Sequence, residues 1–124
     1  MAWILLLCAG ACEMIWPFGF KYTNGFKTNS ALIGLTFAVM GLSLWLMGQA
    51  TARGIHIGTA YAIWTGLGAA GSATIGMIFF KEPRDAIRIT CLVLIIAGAL
   101  GLKFLSPAIK QPAEVQADAR ETAV

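Results

Sequence analysis

Apolar residues in this chain fall into four long runs, separated by short segments that hold most of the charge and the turn-forming residues. The runs are Trp3 to Phe20, Ala31 to Ala50, Ile57 to Phe80 and Ile89 to Leu105. Each is long enough, or nearly so, for a helix to cross about 30 Å of hydrocarbon. Between them stand Asn24-Gly25, Arg53-Gly54 and Lys81-Glu82-Pro83, residues that stop helices and turn the chain. The pattern predicts an all-α integral membrane protein, with four transmembrane helices forming one domain over residues 1–105. Beyond it, residues 106–124 shift to Pro, Ala, Gln and mixed charge, the signature of a disordered tail outside the membrane.

Composition agrees with the pattern. With 58% hydrophobic and 12% charged residues and a mean hydropathy of +0.76, 124 residues are too apolar for a soluble domain. The N-terminus lacks the basic region of a secretory signal and Glu13 interrupts its apolar stretch, so the first helix is expected to be retained.

Several function classes drop out. The net charge of +3 is dispersed, with no basic run interleaved with aromatics, which argues against a nucleic-acid partner. Cys8 and Cys12 lie one helical turn apart and Cys91 lies in the fourth span; none has the flanking His/Cys spacing of a zinc site, so no metal or cofactor is expected. They read as small buried apolar residues. His56, in a short loop, reads as a solvated polar residue. The run Gly66-Leu67-Gly68-Ala69-Ala70-Gly71 matches a dinucleotide-binding pattern, but that pattern needs a preceding strand and a βαβ unit, and here it lies inside a membrane span. Gly66 and Gly68 are better read as close packing or a bend that lets the helix change shape. Without a metal cluster, nucleophile pair or phosphate loop, an enzyme is not expected.

Glu13 is the acidic residue that remains inside a membrane span, about ten residues or ~15 Å of helix from its start. A lone carboxylate at that depth costs at least ~2.5–3.5 kcal/mol on insertion scales, so its default reading is a proton or cation site; the competing reading is a protonated Glu that makes an interhelical hydrogen bond. Helical spacing places Ala9, Gly10, Glu13, Trp16 and Pro17 on one face, where the small residues allow close approach of a partner helix. Pro17 has no N–H, so the Glu13 carbonyl loses its usual donor and a kink is expected beside the site. The third span shows a small and polar stripe of Gly58, Tyr61, Thr65, Gly68 and Ser72, with Trp64 alongside. The second span offers Thr36, Met40, Ser43 and Met47, of which Ser43 is the hydroxyl best suited to a site. For Ser43 and Thr65, bonding to the backbone of their own helix is the equal alternative. The fourth span has no central ionisable residue, and Ala97, Gly98 and Gly101 make it a packing helix between protomers.

Orientation rests on loop charges. Lys21, Lys27, Lys81, Arg84 and Arg88 share one side and Arg53, Lys103, Lys110 and Arg120 the other, five against four. So small a bias leaves topology poorly specified, and two copies inserted oppositely would pair about a twofold axis in the membrane plane.

These residues resemble the small multidrug resistance family of four-helix bacterial transporters that work as antiparallel dimers, over roughly residues 1–105. Within it, Glu13, Trp16, Lys21-Tyr22, Asn24-Gly25-Phe26, the run Gly58-Thr59-Ala60-Tyr61-Ala62-Ile63-Trp64-Thr65-Gly66 and Lys81-Glu82-Pro83 are similar to the guanidinium exporter branch. The resemblance implies a dual-topology homodimer spanning the bacterial inner membrane and exchanging protons for guanidinium or a singly substituted relative such as guanylurea. It implies Glu13 as the shared proton and substrate carboxylate, Trp16, Tyr61 and Trp64 as site lining, and Ser43 as a hydrogen-bond partner of the carboxylate. The sequence departs from that family at Pro17, where a small residue is common, at Gly54-Ile55-His56 and in its longer tail.

Alternatives of other kinds are a polyspecific exporter of quaternary ammonium drugs with the same fold, a holin-like structural protein, for which a central Glu beside Trp is needless, and an obligate heterodimer with a paralogue. The topology reading makes a direct prediction: reporter fusions at the C-terminus should give signal from both sides of the membrane, and labelling from one side alone would refute dual insertion.

Overall fold

The computed structural model describes residues 1–106 and 120–123. It contains five helices within the first 106 residues: α1 (Ala2–Ile15), α2 (Pro17–Tyr22), α3 (Ser30–Ala52), α4 (Ile57–Phe79) and α5 (Ala86–Leu105). Taken together, Ala2–Tyr22 and then α3, α4 and α5 make four spans long and apolar enough to cross a membrane. The 23 residues of α3 and of α4 correspond to about 34 Å of helix each. The expected disordered tail falls largely on residues 107–119 and 124, which lie outside the described residues; of the remainder, residues 120–122 form one helical turn.

The first span is broken where the sequence places proline. α1 ends at Ile15, and the Gly19 N–H turns back to the Trp16 carbonyl at 2.9 Å, three residues away instead of four. The physical cause is the missing N–H of Pro17, which also serves as the first residue of α2. The single span expected over residues 3–20 is therefore two helices joined at Trp16, which keeps right-handed helical angles. Ser72 on α4 reaches the break and donates to the Met14 carbonyl at 3.3 Å.

Helix ends are closed locally. Thr23, wholly buried, donates to the Gly19 carbonyl at 2.6 Å and accepts from the Phe26 N–H at 3.2 Å. Asn24, Gly25 and Phe26 all have positive φ, so the first loop is a tight left-handed turn in which Gly25 is the residue without steric cost. The Asn29 side chain caps α3 through the Leu32 N–H. At the far end of α4, the Arg84 guanidinium donates twice to the Met77 carbonyl, and Glu82 pairs with Arg88.

α1 packs chiefly on α3 and α4, and α5 leans chiefly on α4. One end of the bundle gathers the N-terminus, the α3–α4 loop and the end of α5, tied by a Thr59–Ser106 hydrogen bond of 2.9 Å. The buried core lies toward this end: Leu6 and Ala9 of α1 against Ala50, Ile55, Ala60 and Ile63. At the opposite end, loops one and three meet where Lys21 Nζ sits 3.6 Å from the Phe80 ring centre and Phe18 stacks on the same ring. Grooves open between the helices in that half, one of about 190 Å³ lined by Trp16, Phe18 and Thr36 among others.

α2 is held to α3 by a contact that has no slack. A Cβ built on Gly19 would collide with all three side-chain heavy atoms of Thr36, which is itself buried and bonded to the Leu32 carbonyl. Close approach of this kind is the main source of helix association in lipid, where burial of apolar surface supplies little. Gly19→Ala should lower unfolding stability in detergent by about 1–3 kcal/mol, the usual cost of overpacking. Adding Thr36→Ala, which removes two of the three colliding atoms, should recover part of that loss in the same SDS titration.

Candidate functional site

Glu13 lies midway along the first span, near the end of α1 and three residues before the break. Its position depends on glycines across the α1–α4 interface. Gly68 leaves the space in which the Glu13 side chain lies: a Cβ there would overlap Glu13 Cγ and stand 3.0 Å from its Cβ. One turn further, Gly71 makes the same room for Met14, while on α1 Gly10 receives Leu67, whose Cβ and Cδ1 would be 3.1 Å from an added methyl. Side chains and glycines thus exchange across the two helices, which brings their backbones close.

Two donors converge on one carboxylate oxygen. Trp16 Nε1 donates to Glu13 Oε2 at 2.7 Å, a bond favoured by the i, i+3 spacing that helix geometry provides. Ser43 of α3 stands 3.3 Å from the same oxygen and 2.8 Å from the Ala9 carbonyl. Trp64 of α4 in turn donates its indole N–H to Ser43 Oγ at 2.9 Å. Trp64 and Ser43 are buried, whereas Glu13 and Trp16 are half-buried. The chain Trp64–Ser43–Glu13–Trp16 therefore joins α4, α3 and α1 at mid-membrane. Among the described residues the side-chain ion pair is Glu82–Arg88, in the third loop and at the start of α5; Glu13 is met by neutral donors and not by a protein cation.

The other expected site residues are distributed unevenly. Tyr61 has its ring centre 5.5 Å from that of Trp64 but is 55% exposed on the protomer surface. Thr65 is exposed as well, so the polar stripe of the third span divides between an outer face with Tyr61 and Thr65 and an inner face with Gly68 and Ser72. Ser43 departs from the alternative in which it bonds within its own helix, because its acceptors belong to α1. Gly66 packs α4 on α5, with Ile95 Cγ2 at 3.3 Å from the position of a Cβ. Among the described residues nothing lies within 4 Å of such a position at Gly98 or Gly101. Pro17 produces the break already described. The Ala9 carbonyl, the Gly19–Thr36 clasp and the role of Ser72 at the break were not foreseen; the small residue in Pro17-Phe18-Gly19 was the available signal for the clasp, whereas a backbone carbonyl leaves none.

The match to a family model described as Small Multidrug Resistance protein covers residues 1–95. The chain belongs to the small multidrug resistance family. Its relatives include a protein of Yersinia pseudotuberculosis serotype I named guanidinium exporter, 43% identical over 106 residues, which are 86% of this chain and all of the relative. Proteins of the same name from Proteus vulgaris, 42% identical over 86% of this chain and the whole relative, and from Citrobacter freundii, 44% identical over 83% of this chain and 96% of the relative, are similar to the same extent. Four apolar spans and membership of this family make the chain a multi-pass membrane protein.

In this small multidrug resistance protein the seat of Glu13 is the vacancy above Gly68, and the Trp16 indole reports on it. Glu13→Gln should move the Trp16 indole N–H resonance, because the indole then donates to a neutral amide oxygen in place of a carboxylate oxygen. Gly68→Ala should move the resonance toward a free indole, since the added methyl takes the place of Glu13 Cγ; an unaltered signal would show that Glu13 does not rest on Gly68.

Proposed function

We propose that this protein is a proton-coupled antiporter that exports guanidinium, or a small singly substituted guanidinium such as guanylurea, across the bacterial inner membrane. The observation that carries the reading is a mid-membrane carboxylate met by neutral donors alone, with an indole bonded to it at 2.7 Å. The names of its relatives support the substrate class.

The chemistry follows from the ligand. Guanidinium is planar, permanently charged at neutral pH and carries N–H donors on every edge, so a carboxylate accepting two parallel bonds is its natural partner. Faces of Trp16, Trp64 and Tyr61 add cation–π attraction, worth about 2 kcal/mol once water is removed, and limit how the flat cation lies. A proton occupies the same oxygens, so the two ligands compete, and competition at one site is coupling. When the site changes facing only with one ligand aboard, inward proton flow drives the cation outward.

The functional unit is an antiparallel homodimer in which each protomer brings one Glu13. Loop charges of five against four are consistent with both insertions, and facing is exchanged when the two protomers swap conformations. The protein acts as a transporter and not an enzyme, with no cofactor and with lipid as its solvent.

Solid-supported membrane currents test the reading. Guanidinium should give a proton-dependent current that Glu13→Gln abolishes, with guanylurea and arginine locating the size limit. A bulky quaternary ammonium ion that gives a larger response than guanidinium would assign the protein to drug export instead, and full activity in Glu13→Gln would remove Glu13 from the mechanism.

A further inference from the structure

Ser43 has one hydroxyl proton and two acceptors within reach, the Ala9 carbonyl at 2.8 Å and Glu13 Oε2 at 3.3 Å. The hydroxyl is fully buried, so water does not settle the choice. Trp64 Nε1 fills one lone pair of Ser43 Oγ at 2.9 Å, which fixes the oxygen but leaves the O–H free to rotate between the two acceptors.

Acceptor capacity at Glu13 makes the choice consequential. A carboxylate oxygen has about two lone-pair positions, and at Oε2 Trp16 holds one. The second takes either the Ser43 proton or an N–H of a ligand. A flat cation bound side-on needs one position on each oxygen, so it displaces the Ser43 proton from Oε2. Protonation has the same effect by another route, because a neutral carboxyl oxygen is a weaker acceptor than an ionised one.

We propose that Ser43 is a positioning residue that distinguishes a loaded site from an empty one. Its proton lies on Glu13 Oε2 when the carboxylate is ionised and unoccupied, and on the Ala9 carbonyl when either a proton or a guanidinium-type cation is bound. No bond in the chain is broken without replacement, so the buried hydroxyl stays satisfied in every state. The empty site then ties α3 to the Glu13 side chain, whereas both loaded sites tie α3 to the backbone of α1. That difference is the one an exchanger needs, since it separates the state that must not change facing from the two that do. The inference rests on the transport reading above.

Charged groups do not confuse the readout: α3 and α4 carry no charged residue, and the titratable side chains of α1 and α4 besides Glu13 are Cys8, Cys12 and Tyr61. The experiment is carbonyl ¹³C NMR of the full chain in lipid nanodiscs, with Ala9 read through the Gly10 amide. Titrating guanidinium chloride at alkaline pH should move the Ala9 carbonyl downfield as a new hydrogen bond forms, and acidification without guanidinium should move it in the same direction. Both shifts should vanish in Ser43→Ala and return in Ser43→Thr, which keeps the hydroxyl. Shifts that persist in Ser43→Ala would overturn the proposal, as would an Ala9 carbonyl that stays still while guanidinium binds. In that second case the transport reading survives; if guanidinium causes no Glu13-dependent change in any resonance, both fail.

Discussion

An ionisable carboxylate at the centre of a bilayer is expensive unless the protein supplies donors, and the helix packing here is organised around supplying them to Glu13. A hydrogen bond to a charged group contributes about 1.5–3 kcal/mol, the same scale as the insertion cost of the carboxylate. Trp16 comes from the same span, just past the end of α1, at the spacing that lets it reach back, and Ser43 comes from a neighbouring helix, itself held by Trp64 from a third. Gly68 contributes by absence, since the side chain it lacks would stand where Glu13 lies. Because these donors are neutral, none of them cancels the charge of an ionised carboxylate.

The same centre divides the protomer. Toward the N-terminus the helices are packed through Leu6, Ala9, Ala60 and Ile63, and Thr59 near the start of α4 is tied to Ser106 at the end of α5. Toward loops one and three, contacts concentrate on aromatic rings and on the Gly19–Thr36 clasp, with grooves left between helices. Glu13 sits where one regime gives way to the other, next to a span whose hydrogen-bond ladder is interrupted at Pro17. The short helix after the break has its own attachments: Gly19 to Thr36 on α3, and Phe18 and Lys21 to Phe80 at the end of α4. A displacement of α2 therefore engages α3 and α4 together, while α1 carries the carboxylate.

Much of this was open to a reading of residues. Four spans follow from run length, because hydrocarbon thickness sets how many apolar residues a helix needs, and the structure has four spans of that length and composition. Glu13 is conspicuous for its cost, and Trp16 for its place one turn away. Pro17 announces a disturbance, since a residue without an N–H interrupts the ladder wherever it sits inside a helix. These properties are local: they depend on covalent chemistry, on the solvent and on a period of 3.6 residues, and all of them are carried by one segment at a time.

What required the folded chain is how segments meet. Periodicity offered Ser43 a bond inside its own helix as readily as one across to α1, and only the approach of α3 selects the Ala9 carbonyl and Glu13. It grouped Tyr61 and Thr65 with Gly68 and Ser72, whereas the angle at which α4 lies on α1 turns the first two outward and the last two inward. The glycines of α4, read as close packing or a bend, are vacancies of defined occupancy, filled by Glu13 at Gly68 and by Met14 at Gly71, and Gly19, which drew no reading, leaves its space to Thr36. The sequence by itself determined the solvent, the span count, the break and the buried acid, because each is a property of one stretch of chain in hydrocarbon. The tertiary structure alone decided which hydroxyl, which indole and which empty space serve that acid, because a donor's direction and a cavity's shape exist only between helices.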